Sequence, residues 1–214
     1  MSEFYFGPSF ATLVPANPPE PERFDRKKWN TPGERDLTII SFDPGGTTGW
    51  SLLSIPPFIG EKSVWKHRQE DILLNKRFWN HGEIDCRTDE SEGIWAIKNL
   101  IDEYPLAAVV FEDFQLRQLA ADLSPVRIIS CVEQHFWEKD RSSLFKQMPS
   151  MKATATDDRM KNWGVYTPRG GLQHARDADR HLMIFLRRCL DTKTGLALRK
   201  KAWPQTYRKQ AKDV

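Results

Sequence analysis

At 214 residues and 24.9 kDa, the chain can bury a sizeable core in one large domain or two small ones, which excludes a disulfide-held mini-scaffold. Aromatic residues make up 11% of it, too many for a wholly disordered chain, and no apolar run approaches the ~18 residues of a membrane span. The formal charge of +3 is uneven: residues 187–214 carry nine Lys or Arg against two Asp and stand at +7, leaving the first 186 residues at −4.

Six of the 14 prolines fall in the first 32 residues, which show no helical or strand period, so residues 1–36 are expected to be a leader rather than a domain. The opening MSEFYFGPSFATLVP lacks the basic start and continuous apolar stretch of a signal peptide. Cys86, Cys131 and Cys189 form no C-x-x-C pair, so reduced, buried thiols and a cytoplasmic protein with no membrane partner are expected.

Order begins at Leu37–Phe42, a β-branched apolar run closed by Asp43-Pro44-Gly45-Gly46, and resumes at Gly49–Ile55; a Gly-rich turn between them suggests a hairpin. Residues 56–76 read as an insertion before a third strand, Phe78–Ile84. Ile94, Ile97, Leu100 and Ile101 mark one face of a helix over Glu92–Tyr104, closed by Pro105. Leu106–Phe111 is a second buried strand, ending at Glu112-Asp113. Val126, Ile129, Val132 and Phe136 stripe a helix over Val126–Trp137, and Leu144–Met148 follows as an edge strand. After a polar stretch, Ala178, Leu182, Phe185, Leu186 and Cys189 give the apolar face of a last helix, His174–Leu190. This order predicts a mixed sheet covered by helices in one α/β domain over residues 37–190, followed by a basic tail over 191–214.

Two buried strands thus end in carboxylates. Asp43 is followed by bare backbone that leaves room for an anionic group, and ligands of open α/β sheets gather at strand ends. Glu112 closes an apolar strand, where an acid needs solvent, a cation or a donor. On the last helix His174 and Asp177 stand one turn apart, with His181 on the same face. Converging with the two strand-end acids, they form an oxygen-rich set of the kind that holds Mg²⁺ and substrate phosphates. The plainer reading makes Asp43 a turn former, His174 a helix cap and Asp177 a partner of Arg180 or Arg176.

ISFDPGGTTGWSLL, AAVVFEDF and HARDADRHL, in this order, resemble the motifs of the RuvC-type Holliday-junction resolvases of the ribonuclease H-like superfamily. The form resembled most is the bacteriophage RuvC-like one, in which a stretch like QMPSMKATATDDRMKNWG also precedes the last motif. The likeness spans residues 37–190 and implies a ribonuclease H-like mixed five-stranded sheet flanked by helices. It makes Asp43 the metal-bridging acid of the first strand, Glu112 the acid of the fourth, and His174 and Asp177 the last-helix pair. These four are the expected catalytic and metal-binding residues, holding two Mg²⁺ or Mn²⁺ ions for phosphodiester hydrolysis that leaves a 5′-phosphate. Asp113, Asp179 and His181 are the expected supporting positions, and Asp113 or Asp179 replaces a ligand if the register slips.

The resemblance also implies branched DNA (four-way junctions or forks) as substrate, a homodimer with the Val126–Trp137 helix as its surface, and the host cytoplasm if the chain is phage-encoded. Lys152 and Lys146 flank the fifth strand, and the family places a basic residue near the scissile phosphate; Lys152 is preferred, against an ordinary solvated lysine. Phe114 offers a stacking face for an unpaired base, against a core role. In the tail, Arg199, Lys200 and Lys201 interleave with aromatics as phosphate-binding arms do, against a merely solvated terminus. Three alternatives stay open: a less selective nuclease on forks, flaps or single strands, a non-catalytic DNA-binding module, and an actin-like ATPase using D-P-G-G-T-T-G as a phosphate loop.

Overall fold

The computed structural model describes residues 37–55, 69–74, 76, 78–104, 108–114, 122–138, 144–168, 171–189, 195 and 197. The leader, nearly all of the tail and most of residues 56–76 lie outside this set. The strands are β1 (Leu37–Asp43), β2 (Thr47–Ile55), β3 (Phe78–Asp85), β4 (Ala108–Glu112) and β5 (Leu144–Gln147). The α-helices are α1 (Gln69–Leu74), α2 (Glu90–Glu103), α3 (Ser124–Glu138), α4 (Asp157–Asn162) and α5 (Gln173–Cys189), with a 3-10 helix over Pro149–Thr154.

The sheet order is β3-β2-β1-β4-β5. β1, β2 and β3 form an antiparallel meander, and β4 and β5 run parallel to β1. Parallel neighbours need crossovers, which α2 and α3 provide. The result is the expected mixed five-stranded sheet flanked by helices.

Side chains alternate between the faces of a strand, and this parity organises the whole molecule. On one face Leu37, Ile39, Leu53, Ile55, Val110 and Phe145 pack under α5 through Leu182, Phe185, Leu186 and Cys189. On the other, Ile40, Phe42, Leu52, Ile84, Val109 and Phe111 pack under α2 and α3. β1 is buried along its full length because it is central and covered on both sides.

Several boundaries differ from the sequence reading. β1 runs on to include Asp43, and β2 starts at Thr47, so the turn is shorter than expected. β4 includes Glu112 and β5 stops at Gln147, while Leu106 and Ala107 of the expected fourth strand lie outside the described residues. α2 starts at Glu90 because the Asp89 carboxylate caps it, accepting from the Ser91 and Glu92 amides at 2.9 and 3.1 Å. The polar stretch before α5 holds the 3-10 helix and α4, six residues each, too short for periodicity to reveal. On α3 the buried face is Ile128, Ile129, Val132 and Phe136, while Val126, expected on it, is 40% exposed. Among the described residues no helix is long and apolar enough to cross a membrane. All three cysteines are free thiols; Cys86 and Cys189 are buried as expected, whereas Cys131 on α3 is only partly buried.

Candidate active site

Parity decides which acids meet. Asp43 shares the face of Ile39, and Glu112 that of Val110, so both carboxylates point toward α5 from adjacent parallel strands. α5 lies across that face with its N-terminal turn over the strand ends. Gly49 permits the approach: a Cβ there would stand 2.0 Å from the His174 carbonyl carbon and oxygen and 2.5 Å from the Ala175 nitrogen. Just upstream, Leu172 takes φ 52°, a left-handed conformation costly for a side chain with a Cβ. The Glu83 carboxylate caps the helix start from β3, accepting from the His174 and Ala175 amides at 2.8 and 3.4 Å.

The acids gather around the ammonium of Lys152, which the 3-10 helix delivers. Its Nζ stands 2.9 Å from Glu112 Oε2, 2.9 Å from Asp177 Oδ2 and 3.8 Å from Asp43 Oδ1. His174 Nδ1 lies 2.9 Å from Asp43 Oδ2. The second oxygen of Asp177 accepts from Arg180, whose guanidinium also reaches Asp157 Oδ1 at 2.6 Å and the Ala155 carbonyl. Fully buried His181 places Nε2 2.7 Å from Glu112 Oε2 and Nδ1 3.0 Å from Gln147 Oε1. A chain running Gln147, His181, Glu112 therefore fixes the orientation of the β4 acid.

Burial pushes the Asp43 carboxyl up, against the His174 hydrogen bond and the Lys152 charge that pull it down. The hydrogen bond that His174 donates to the Asp43 carboxylate holds the imidazole pKa up despite its partial burial. For Glu112, burial raises the pKa, but hydrogen bonds from His181 and Lys152 prevail and hold it at about 2. A carboxylate depressed from 4.5 stabilises the fold fully above its unfolded value and loses that contribution as pH falls from 4.5 toward about 2. The unfolding free-energy difference between wild type and Glu112→Gln is therefore expected to shrink between about pH 6 and about pH 3 in denaturant titrations. A constant difference would contradict this ion pairing.

The chain is similar to RuvC from Thermus thermophilus. Against the structure of that protein it shows 14% identity and a TM-score of 0.47, covering 71% of this chain and 95% of that one. Against T. thermophilus RuvC in complex with Holliday junction substrate the identity is 15% and the TM-score 0.47, covering 71% and 94%. No protein-family model and no curated protein matches the chain.

Asp43, Glu112, His174 and Asp177 thus come together, with Lys152 among them and His181 behind. The other sequence candidates stand elsewhere. Asp113 donates its backbone N–H to the Gln147 carbonyl at 2.7 Å and, by parity, faces away from α5. Asp179 is buried against His81 Nδ1 at 2.7 Å and Trp79 Nε1 at 3.1 Å. Lys146 projects from the opposite face and pairs with Glu133 of α3 at 2.7 Å. Phe114 packs partly buried against the α2/α3 core. Arg199, Lys200 and Lys201 lie outside the described residues.

The plainer reading is met in one point, because Asp177 does pair with Arg180. Neither Asp43 nor His174 caps a helix with its side chain; each turns to the other. The room expected beside the glycine turn is partly filled: a Cβ on Gly46 would stand 2.7 Å from Arg87 Cγ, so this exposed arginine lies over the turn. Sequence reasoning missed Arg87, the Glu83 cap and the Gln147 link. Only Glu83 left a trace, as an acid of the same strand parity as Trp79 and His81.

Among the described residues no group of three His, Cys, Asp or Glu side chains is arranged as around a bound metal ion. The donor chemistry nevertheless fits a hard divalent cation: carboxylates from three separate elements reach one cationic point, held here by an ammonium.

Proposed function

We propose that the protein is a metal-dependent, structure-specific DNA endonuclease that resolves Holliday junctions or other branched DNA, leaving 5′-phosphate ends. The observation that carries this reading is the convergence of Asp43, Glu112 and Asp177, from β1, β4 and α5, on one cationic point. Carboxylates used only as turn formers or caps would satisfy backbone amides; among the described residues these meet side-chain cations and imidazoles instead.

Asp43, Glu112, Asp177 and the His174 imidazole would hold the metal. Two Mg²⁺ or Mn²⁺ ions bound by these residues would supply Lewis-acid chemistry, lowering the pKa of water and offsetting charge on the leaving oxygen. The chain's own residues set the geometry. His181 and Gln147 lock the Glu112 rotamer, Arg180 locks Asp177, and His174 orients Asp43. Lys152, partly exposed at the mouth of the cluster, presents its charge to an incoming phosphate. Arg87 adds a second cation beside the β1 turn.

Imidazole in the ligand set suits transition metals better than Mg²⁺. Mn²⁺ is therefore expected to support cleavage at least as well as Mg²⁺ in a metal titration; cleavage with Mg²⁺ but none with Mn²⁺ would contradict the His174 assignment. The reading as a whole is tested by cleavage of four-way, forked, flapped and linear DNA with end-group analysis. Preferential cutting of the branched forms to 5′-phosphates supports it, and equal cutting of all forms favours the less selective nuclease.

Symmetric nicking of a four-way junction calls for two active sites, which a C2 homodimer provides. On α3, Val126 and Trp137 are 40% and 78% exposed and offer the apolar surface. Sedimentation at micromolar concentration is expected to show a dimer that Val126→Asp with Trp137→Asp converts to monomer. A monomeric wild type would count against the dimer.

A further inference from the structure

We propose that Lys152 and the divalent ion compete for the same carboxylates: Lys152 is the resident counter-cation of the metal-free protein and leaves the cluster when metal binds. The inference rests on the nuclease reading and adds to it an exchange of cations within one site.

Three carboxylates facing one point repel one another strongly in a poorly solvated setting, and the Asp43 side chain is only 10% exposed. The Lys152 ammonium relieves that repulsion, at 2.9 Å from two of the acids and 3.8 Å from the third. A hard divalent ion binds oxygen at about 2.0–2.6 Å, shorter than these N···O contacts, so it draws the carboxylates inward around the place the ammonium fills. Two cations at that point would overlap and repel.

Lys152 has a route out. Its side chain is 29% exposed, it sits on a flexible four-carbon stem, and it comes from the 3-10 helix rather than from the sheet. The other supports of the acids do not depend on it: Arg180 holds Asp177, His174 holds Asp43, and His181 holds Glu112. Departure of the ammonium therefore frees ligand oxygens while these partners keep the three carboxylates gathered. Lys146 is no substitute, being tied to Glu133 on the opposite face.

The test is Mn²⁺ binding to the full chain by calorimetry, without DNA, for wild type and for Lys152→Met, which keeps the stem and removes the charge. Lys152→Met is expected to bind Mn²⁺ about tenfold more tightly or better, as removal of a competing cation requires. Its metal-free melting temperature is expected to fall below that of wild type. A second measurement needs no variant: amine acetylation of Lys152 in wild type, read by peptide mass spectrometry, is expected to be slow without metal and faster when Mn²⁺ saturates the site. Wild type that binds Mn²⁺ while Lys152→Met binds it equally or more weakly, or acetylation that Mn²⁺ slows or leaves unchanged, overturns the competition and leaves the nuclease reading standing. Absence of Mn²⁺ binding in both proteins overturns both.

Discussion

Replacing Asp43 by Asn is expected to lower junction cleavage about 10³-fold or more while leaving junction binding nearly unchanged, because a neutral amide removes charge needed only for chemistry. The substitution keeps volume and shape at a buried position, so the packing around β1 survives. Stability should hold or rise, since burial already pushes this carboxyl up and the amide escapes that cost. Cleavage rates on a labelled four-way junction, binding by gel shift in Ca²⁺, and a thermal melt separate the three effects. Loss of binding in parallel with cleavage would instead favour a structural role for the acid.

Gly49→Ala is expected to be the most damaging single-methyl change in the described fold. The added Cβ would meet the His174 carbonyl carbon and oxygen at 2.0 Å, and these are backbone atoms of α5 that move only if the helix start moves. Overpacking against backbone costs about 1–3 kcal/mol, and this contact belongs at the upper end of that range. The same shift carries His174 and Asp177 away from Asp43, and a displacement of about 1 Å at a reacting centre can cost about 10²-fold in rate. Urea unfolding and kcat/KM should therefore fall together. An alanine variant with wild-type stability would show that α5 does not approach β2 this closely.

Much of the fold was legible because β1 and β4 are central strands whose two covered faces demand nearly continuous apolar runs, and α5 carries its stripe over its whole length. The acids at the ends of those runs were legible for the same reason: an expensive residue closing an apolar strand needs a partner. The helix-supplied half followed from the spacing of three between His174 and Asp177. What stayed hidden depends on contacts remote in sequence. Gly49 looked like the start of a strand, and nothing local shows that a helix backbone over a hundred residues downstream rests on it. Lys152 was placed near a scissile phosphate by resemblance, yet its partners are the acids themselves. His181 does share the face of His174, two turns further along α5, but nothing local shows that it lies fully buried against Glu112 rather than beside Asp43. The 3-10 helix and α4, which deliver Lys152 and the Asp157 partner of Arg180, are too short to leave a periodic signature.

The central claim is that segments remote along the chain build one divalent-cation site open to a DNA strand. It is tested most directly by anomalous diffraction from crystals soaked in Mn²⁺. Anomalous density between Asp43, Glu112 and Asp177, bonded to oxygens of all three, is the expected result. Density elsewhere, or none at saturating Mn²⁺ with the three carboxylates still gathered on Lys152, would contradict the claim.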